Sequence, residues 1–255
     1  MNMGNPGEIP GNDLLVKTVE RINQDSLVTL YYYDTARRWV GSTSRVNTNV
    51  SALDDQVIIV RDADGIITKT IYKSGFINDS FYFKVNYNRT LSRYESKSSN
   101  RRLTTPFYRD SMQFQYDNAQ KIAGYLYYIL DYRSLFDVML TAKVIFSRDG
   151  QGNIISEKVY QFENGNLHDS VTFIYRYDNK VRPLQLSDGE ALVTEQDGRY
   201  AVNNNIYTNL IGSNGLSSHH VEKKFVYNSL NKPVSSVSTL LHDNNKKIFL
   251  EFYYQ

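Results

Sequence analysis

The sequence contains no cysteine. Disulfide frameworks, zinc sites built on thiolates and cysteine nucleophiles are therefore excluded. It also lacks an apolar run of about 18 residues, the length that a helix needs to cross a bilayer, and no charged and then apolar signal segment opens it. We find no P-loop, dinucleotide fingerprint or G-x-S-x-G motif, and we predict no cofactor.

Neither sign of charge dominates, since 29 Lys and Arg stand against 27 Asp and Glu. The basic residues are scattered, and the densest points, Arg101-Arg102 and Lys223-Lys224, are only pairs. Two adjacent charges are typical of a solvated surface rather than of a contact with phosphates. We therefore predict that the protein does not bind nucleic acid.

What the sequence has in abundance is aromatic residues, with 21 Tyr and 12 Phe. Such side chains favour the half-buried surface of a β-strand. The segment 1–13 is rich in Gly, Pro and Asn without apolar periodicity, which predicts a flexible tether. The remaining residues, 14–255, have a length that is ordinary for one all-β domain, and we predict a single antiparallel β domain there.

One motif recurs five times, namely an alternating run that ends in Tyr followed by Asp or Asn. The five pairs are Tyr33-Asp34, Tyr87-Asn88, Tyr116-Asp117, Tyr177-Asp178 and Tyr227-Asn228. Alternation of large apolar residues predicts a strand with one buried face. Asp or Asn can accept hydrogen bonds from backbone amides two residues on and tolerates turn dihedrals. Each pair therefore predicts a hairpin corner, with its tyrosine at the rim of the sheet.

These corners and the other turns divide the chain into strands of about 6–10 residues, the spacing of an antiparallel meander. The predicted fold is all-β, with one strongly curled sheet or open barrel. Only 118–140 competes as a helix, because Ile122, Leu126 and Ile129 fit a helical stripe. The neighbouring Tyr116-Asp117 corner and the aromatic run 125–132 favour strand.

A long excursion from the sheet is predicted near the C-terminal third, from Leu184 to Ser218. This stretch lacks sustained alternation and is rich in turn formers, and long loops on a rigid scaffold often carry binding sites. Its candidate ligand-binding residues are Tyr200, Asn203, Asn204, Asn205 and Tyr207. Amides donate and accept hydrogen bonds, and a tyrosine ring can cover the apolar face of a sugar. A cap over the end of the sheet is the alternative.

The sequence assigns no catalytic residue and no metal ligand. His219 and His220 are adjacent, and neighbours in a strand point to opposite faces, so they cannot both bind one metal without a bulge. The acidic turn 62–65 breaks the spacing of a calcium loop. Paired carboxylates for glycoside hydrolysis cannot be judged, because their separation is set in space. An enzyme therefore stays an alternative to a preferred non-enzymatic role.

The last two corners resemble a known pattern. Tyr177 to Pro183 and Tyr227 to Val234, separated by an Asn-rich segment, are similar to the C-terminal half of a group of secreted Bacteroidetes lipoproteins of unknown function. The segment Val181-Arg182-Pro183 departs from that pattern, which usually has Asn before Pro. The corners also resemble the YD repeats of large bacterial shell proteins, without their turn glycine. The first resemblance implies a β-rich fold, export, and a lipid anchor upstream of this chain as its link to a membrane.

We therefore expect an exported surface or periplasmic module that binds a glycan or another surface partner. A hydrolase with spatially assembled carboxylates and a structural spacer that binds nothing are the alternatives. An exposed row of aromatic rings flanked by Asn and Asp would favour the binding module. A cleft with convergent carboxylates would favour the hydrolase.

Overall fold

The structure is a computed structural model, and it describes residues 14–46, 55–63, 65, 67–74, 77–85, 90–97, 108–119, 121–131, 137–184 and 202–255. The regular elements within these ranges are all β-strands. In chain order they are β1 (Leu15–Ile22), β2 (Asp25–Tyr33), β3 (Trp39–Val46), β4 (Asp55–Arg61), β5 (Ile67–Ser74), β6 (Ile77–Val85), β7 (Thr90–Lys97), β8 (Tyr108–Tyr116), β9 (Ile122–Asp131), β10 (Asp137–Arg148), β11 (Ile154–Glu163), β12 (Asn166–Val181), β13 (Asn203–Ile211), β14 (Ser217–Tyr227), β15 (Pro233–Leu240) and β16 (Lys246–Tyr254).

Each strand pairs antiparallel with the next strand along the chain. The first strand also pairs with the last, with Leu15 opposite Tyr254 and Arg21 opposite Phe249. The predicted all-β antiparallel meander is confirmed, and its curl is complete because this pairing closes a barrel. Closure leaves neither terminal strand with an unpaired edge.

The segment with two competing predictions forms strands β9 and β10. The strand prediction for 118–140 is thus confirmed for 122–131 and 137–140, whereas 118 and 119 lie in a turn. Aromatic and β-branched residues pack well on a pleated surface, and this outweighs the weak helical stripe. The predicted tether, residues 1–13, and the Tyr87-Asn88 corner lie outside the described residues.

Three of the predicted corners form tight turns, at Asp34, Asp117 and Asn228. In each turn the side-chain oxygen accepts the backbone N–H of the residue four positions on, over 2.8 Å from Arg38, 2.9 Å from Lys121 and 3.0 Å from Lys232. The residue before that donor is left-handed at Arg37 and Asn231, as in a type I turn followed by a bulge. The N–H of Arg38 also lowers the pKa of the Asp34 carboxyl.

The predicted corner at Tyr177-Asp178 is wrong. Asp178 lies inside β12, which continues to Val181. Its carboxylate accepts the N–H of Lys180 at 2.9 Å, as a turn aspartate would, but it also accepts hydrogen bonds from Asn204 and Tyr227. These partners tie Asp178 to β13 and β14, and the β12–β13 ladder shifts its register at this point.

The predicted excursion is shorter than the sequence suggested. Asn203–Ile211 form β13 and Ser217 begins β14, so only 185–201 lie outside the described residues. The sequence of β13 does not show the usual apolar alternation of a strand, because polar Asn205 and Thr208 border the cavity on its inner face.

The two ends of the barrel differ. We call the end that carries the turns β2–β3, β8–β9, β10–β11 and β14–β15 the corner end, and the opposite end the hairpin end. Two buried clusters lie at the corner end: Trp39, Ile59 and Ile67, and Ile122, Val144, Phe146 and Ile154. Phe114 packs against both clusters, so this side of the barrel is filled with side chains.

Rim tyrosines tie neighbouring strands together at the corner end. Three of them donate their hydroxyl to the carbonyl of the first residue of the preceding strand: Tyr33 to Leu15 at 2.8 Å, Tyr177 to Ile154 at 2.7 Å and Tyr254 to Pro233 at 2.9 Å. Burial raises the pKa of all three above their ordinary value of 10.0. These hydroxyls stay protonated donors in the folded barrel.

We expect the protein to lose stability at alkaline pH through these tyrosines. Because their pKa is raised by folding, their contribution is fully present below about pH 10 and falls as the pH rises further. The melting temperature, measured from about pH 8 to pH 11, should fall more steeply in the wild type than in a Tyr177→Phe variant. Equal slopes in the two proteins would contradict this.

Candidate functional site

The strands have an inner and an outer face, as β14 illustrates. Val221, Lys223 and Phe225 border an internal cavity, whereas Glu222 and Lys224 between them are exposed to solvent. Successive residues of a strand point to opposite faces, so the same division runs through the neighbouring strands. The inner-face residues of the barrel therefore form the candidate site.

The internal cavity has a volume of about 740 Å³. Its wall is built by β1, β2, β11 to β14 and β16, together with the segment 182–184 that follows β12. Residues from both ends of the chain meet there, since Leu15 and Phe252 both border it. A volume of this size is within the range of about 300–1,000 Å³ of small-molecule sites.

Aromatic residues form ridges on the inner wall, and they lie on the even-numbered strands. The ridge residues are Tyr31 on β2, Phe173, Tyr175 and Tyr177 on β12, Phe225 on β14 and Phe252 on β16. Between them, β1, β13 and β15 place small or polar residues such as Thr18, Thr208 and Ser236. The Phe225 and Phe252 centroids are 6.2 Å apart across β15, and Ser236 is buried between their strands.

Polar and charged groups interrupt this apolar wall. Glu20, Glu157, Arg182 and Lys223 all border the cavity. The hydroxyl of Tyr175 donates to a carboxylate oxygen of Glu157 at 3.1 Å. The wall can therefore contact both the apolar and the polar parts of one ligand.

A histidine pair lies toward the hairpin end. His219 borders the cavity, and its ring centroid is 4.2 Å from that of His242 in the β15–β16 turn. Burial, and then the nearby charge of His242, lower the pKa of His219. His220 lies on the other face of β14, where its ring packs against Tyr207. The two adjacent histidines thus point apart, as strand alternation predicts.

The segment after β12 crosses the barrel at the corner end. Arg182, Pro183 and Leu184 border the cavity, and Leu184 packs against the cluster of Trp39, Ile59 and Ile67. That cluster lies on β3 to β5, seven or more strands away from β12 around the barrel. The segment therefore forms part of the cavity wall at this end.

Buried amides hold the strand that returns from this crossing. Asn153 is fully buried, and its side-chain oxygen accepts the N–H groups of Val202 and Asn203 at 2.9 and 3.0 Å. Its amide nitrogen donates to Asn203 and to Asp149, both at 2.9 Å. We call this set the amide lock, and it fixes the start of β13 to the β10–β11 turn.

The predicted binding residues fall into different places. Asn204, Asn205 and Tyr207 border the cavity, but the Tyr207 ring packs against the guanidinium of Arg176 and the ring of His220, on the outer side. Asn203 and Asn204 are buried and engaged in hydrogen bonds with the chain itself. Tyr200 lies outside the described residues.

The residues that sequence reasoning missed are the ridge rings and Glu157. Their signal was present as inner-face alternation on β11 and β12, but only barrel closure shows that these faces enclose a cavity. Within the described ranges, no group of three or more His, Asp or Glu could hold a metal ion. The described part of the chain also contains no helix that is long and apolar enough to cross a membrane.

No family model and no curated protein matches this sequence. Among solved structures, the fold is similar to that of a porin-like protein from Bacteroides vulgatus, with a TM-score of 0.58 and 12% identity over 95% of this chain and 99% of that chain. A porin-like protein from Bacteroides uniformis has a TM-score of 0.53 and 8% identity over 94% of this chain and 96% of that chain. At these identities the likeness is one of fold.

Proposed function

We propose that the protein is an exported, non-enzymatic barrel that binds a glycan or another hydroxyl-rich ligand in its internal cavity. The observation that carries this proposal is the cavity wall, which combines aromatic ridges with carboxylate, amide and hydroxyl groups. Aromatic rings can cover the apolar faces of a sugar while polar groups bond to its hydroxyls. A row of rings flanked by such groups is the feature expected of a binding module.

The outer face favours a barrel surrounded by water over a pore that crosses a lipid bilayer. Charged side chains interrupt the exposed apolar residues of this face, which include Val60, Ile145 and Phe249. The charged residues on outward strand positions are Lys158, Arg176, Glu222 and Lys224. Lipid-facing residues of membrane barrels form an apolar band, and Lys or Arg at its midplane costs about 2–4 kcal/mol. The proposal therefore departs from a conducting role, although the similar solved structures are described as porin-like.

Export to the periplasm or cell surface is the second part of the proposal. Its support is the resemblance of the Tyr177 and Tyr227 segments to secreted lipoproteins, together with the Bacteroides origin of the similar structures. A lipid anchor upstream of this chain would be the contact with a membrane. Fractionation of cells that express the full gene tests this, and recovery in the cytoplasm would contradict it.

Binding should depend on the ridge ring of Phe225. A glycan array with the wild-type protein identifies ligands, and calorimetric titration then compares variants. Because aromatic rings that line a binding site often contribute strongly to affinity, Phe225→Ala should weaken binding by about tenfold or more. Phe249→Ala is the matched control, since Phe249 is exposed on the outer face of β16.

An equal loss of affinity in the Phe249→Ala control would contradict a site inside the barrel. An array without hits would favour the structural spacer. Both variants should retain the wild-type melting profile for the comparison of affinities to hold.

A glycoside hydrolase is a second candidate because two carboxylates, Glu20 and Glu157, border the cavity. Paired carboxylates on either side of a glycosidic bond are the usual catalytic arrangement of such enzymes. The test is whether the wild type releases reducing ends from a bound glycan. If it does, and if both Glu20→Gln and Glu157→Gln abolish this release, the protein is a hydrolase rather than a binding module.

A further inference from the structure

Two rings on β12 form a platform at the cavity wall. The centroids of Phe173 and Tyr175 are 6.2 Å apart and their planes lie within 5° of parallel. Both residues border the cavity, and Tyr177 continues the row toward the corner end. Two neighbouring rings along one strand offer apolar surface to the apolar faces of successive sugar rings.

Hydrogen-bonding groups flank this platform on both neighbouring strands. On β11, Glu157 is the cross-strand partner of Phe173, and its carboxylate accepts the hydroxyl of Tyr175 at 3.1 Å. On β13, Thr208 is the cross-strand partner of Tyr175, and its hydroxyl contacts the amide of Asn205 at 3.1 Å. All these residues border the cavity, so a ligand on the platform meets polar groups at both of its edges.

We propose that Glu157 selects neutral sugars over acidic ones, by accepting hydrogen bonds from ligand hydroxyls while the sugar rings stack on Phe173 and Tyr175. This inference rests on the proposed function and names the ligand class of the same cavity. An ionised carboxylate has two acceptor oxygens and no donor, so it matches a pair of adjacent hydroxyls. Hydrogen bonds to a charged acceptor are stronger than neutral ones, and the same charge disfavours a uronic acid at this place.

Tyr175 is then a positioning residue as well as a ring of the platform. Its hydroxyl donates to one oxygen of Glu157 and so fixes the orientation of the carboxylate. Tyr175→Phe keeps the ring and removes only this donor. It should weaken sugar binding less than a change at Glu157 does.

The test uses the full chain with cellobiose, lactose and maltose as neutral probes and a hyaluronan disaccharide as the acidic probe. Titration of the wild type should show tighter binding of at least one neutral probe than of the acidic one. Glu157→Gln should weaken the binding of that neutral probe by about 10- to 100-fold, as expected for a lost hydrogen bond to a charged group. It should also reduce the preference for the neutral over the acidic probe. Glu222→Gln, a carboxylate on the outer face of β14, is the control and should change neither value.

The outcomes separate this inference from the proposed function. If Phe173→Ala weakens the binding of the neutral probe and Glu157→Gln does not, the cavity binds sugars but Glu157 does not select them. If the wild type prefers the acidic probe, the selection is overturned as well. If no neutral disaccharide binds to the wild type, both the inference and the carbohydrate part of the proposed function fail. Should Glu157→Gln not fold, an unchanged affinity in Tyr175→Phe together with an unchanged preference for neutral probes would overturn the inference.

Discussion

Replacing Trp39 by alanine is expected to lower the free energy of unfolding by about 3–5 kcal/mol, the range for a large buried ring truncated to a methyl group. Trp39 is only 3% exposed and lies at the centre of the cluster with Ile59 and Ile67. Its indole nitrogen donates to the carbonyl of Gly41 at 2.7 Å, and that carbonyl also loses its partner in the variant.

Urea unfolding followed by fluorescence or circular dichroism measures this loss. Tyr32→Ala is the matched control, because Tyr32 is a large aromatic residue on the adjacent strand but is 45% exposed on the outer face. We expect the free energy of unfolding of the control to stay within about 1 kcal/mol of the wild type. The control loses only an exposed hydrogen bond between the Tyr32 hydroxyl and Thr43. Similar losses in the two variants would show that the Trp39 cluster is not the core of the corner end.

Loss of the Trp39 ring should also change the cavity wall. Leu184 packs against the same cluster, and with Arg182 and Pro183 it forms the wall of the cavity at the corner end. A void at Trp39 removes the surface on which Leu184 rests. Ligand affinity should therefore fall in Trp39→Ala even under conditions where the barrel remains folded.

Local sequence signals were sufficient to predict the strands and most of the corners. The turns at Asp34, Asp117 and Asn228 are held by side-chain bonds that reach no further than four residues, so the short sequence window contains their cause. The strand prediction for β9 and β10 also rested on neighbouring residues. Interactions of this kind can be inferred without knowledge of the rest of the molecule.

Asp178 shows where that inference stops. It has the same preceding tyrosine and the same bond to the amide two residues on, yet the chain continues as a strand. The difference is made by Asn204 and Tyr227, which lie 26 and 49 residues away in sequence. Partners at such distances are brought together only by the folded barrel, and the sequence motif alone cannot distinguish the two cases.

The cavity was beyond sequence reasoning for the same reason. Its wall depends on the pairing of β1 with β16, and therefore on contacts between the two ends of the described chain. Alternation indicated which residues share a face, but it did not distinguish a filled side of the barrel from a hollow one. The packed side is formed by β3 to β5 and β8 to β11, whereas the cavity is lined by β1, β2, β11 to β14 and β16.

Replacing Asn153 by alanine is the second change with a large expected effect. The side chain is fully buried, and both of its functional atoms make two hydrogen bonds in the amide lock. Its removal leaves the N–H groups of Val202 and Asn203 without their acceptor, and Asn203 is buried. Each buried group without a partner costs about 1–3 kcal/mol, so the variant should lose about 3–5 kcal/mol in urea unfolding.

Asn214→Ala provides the matched control for this loss. The Asn214 side chain accepts one hydrogen bond, from the N–H of Leu216 at 2.9 Å, in an exposed turn where water can replace it. The free energy of unfolding of Asn214→Ala should therefore fall by about 1 kcal/mol or less. Because the amide lock fixes the start of β13, hydrogen exchange should also accelerate at the amides of Val202 and Asn203 in Asn153→Ala and not in the control. Unchanged exchange there, or equal losses in the two variants, would mean that β13 is held by its ladder with β12 and β14 rather than by the lock.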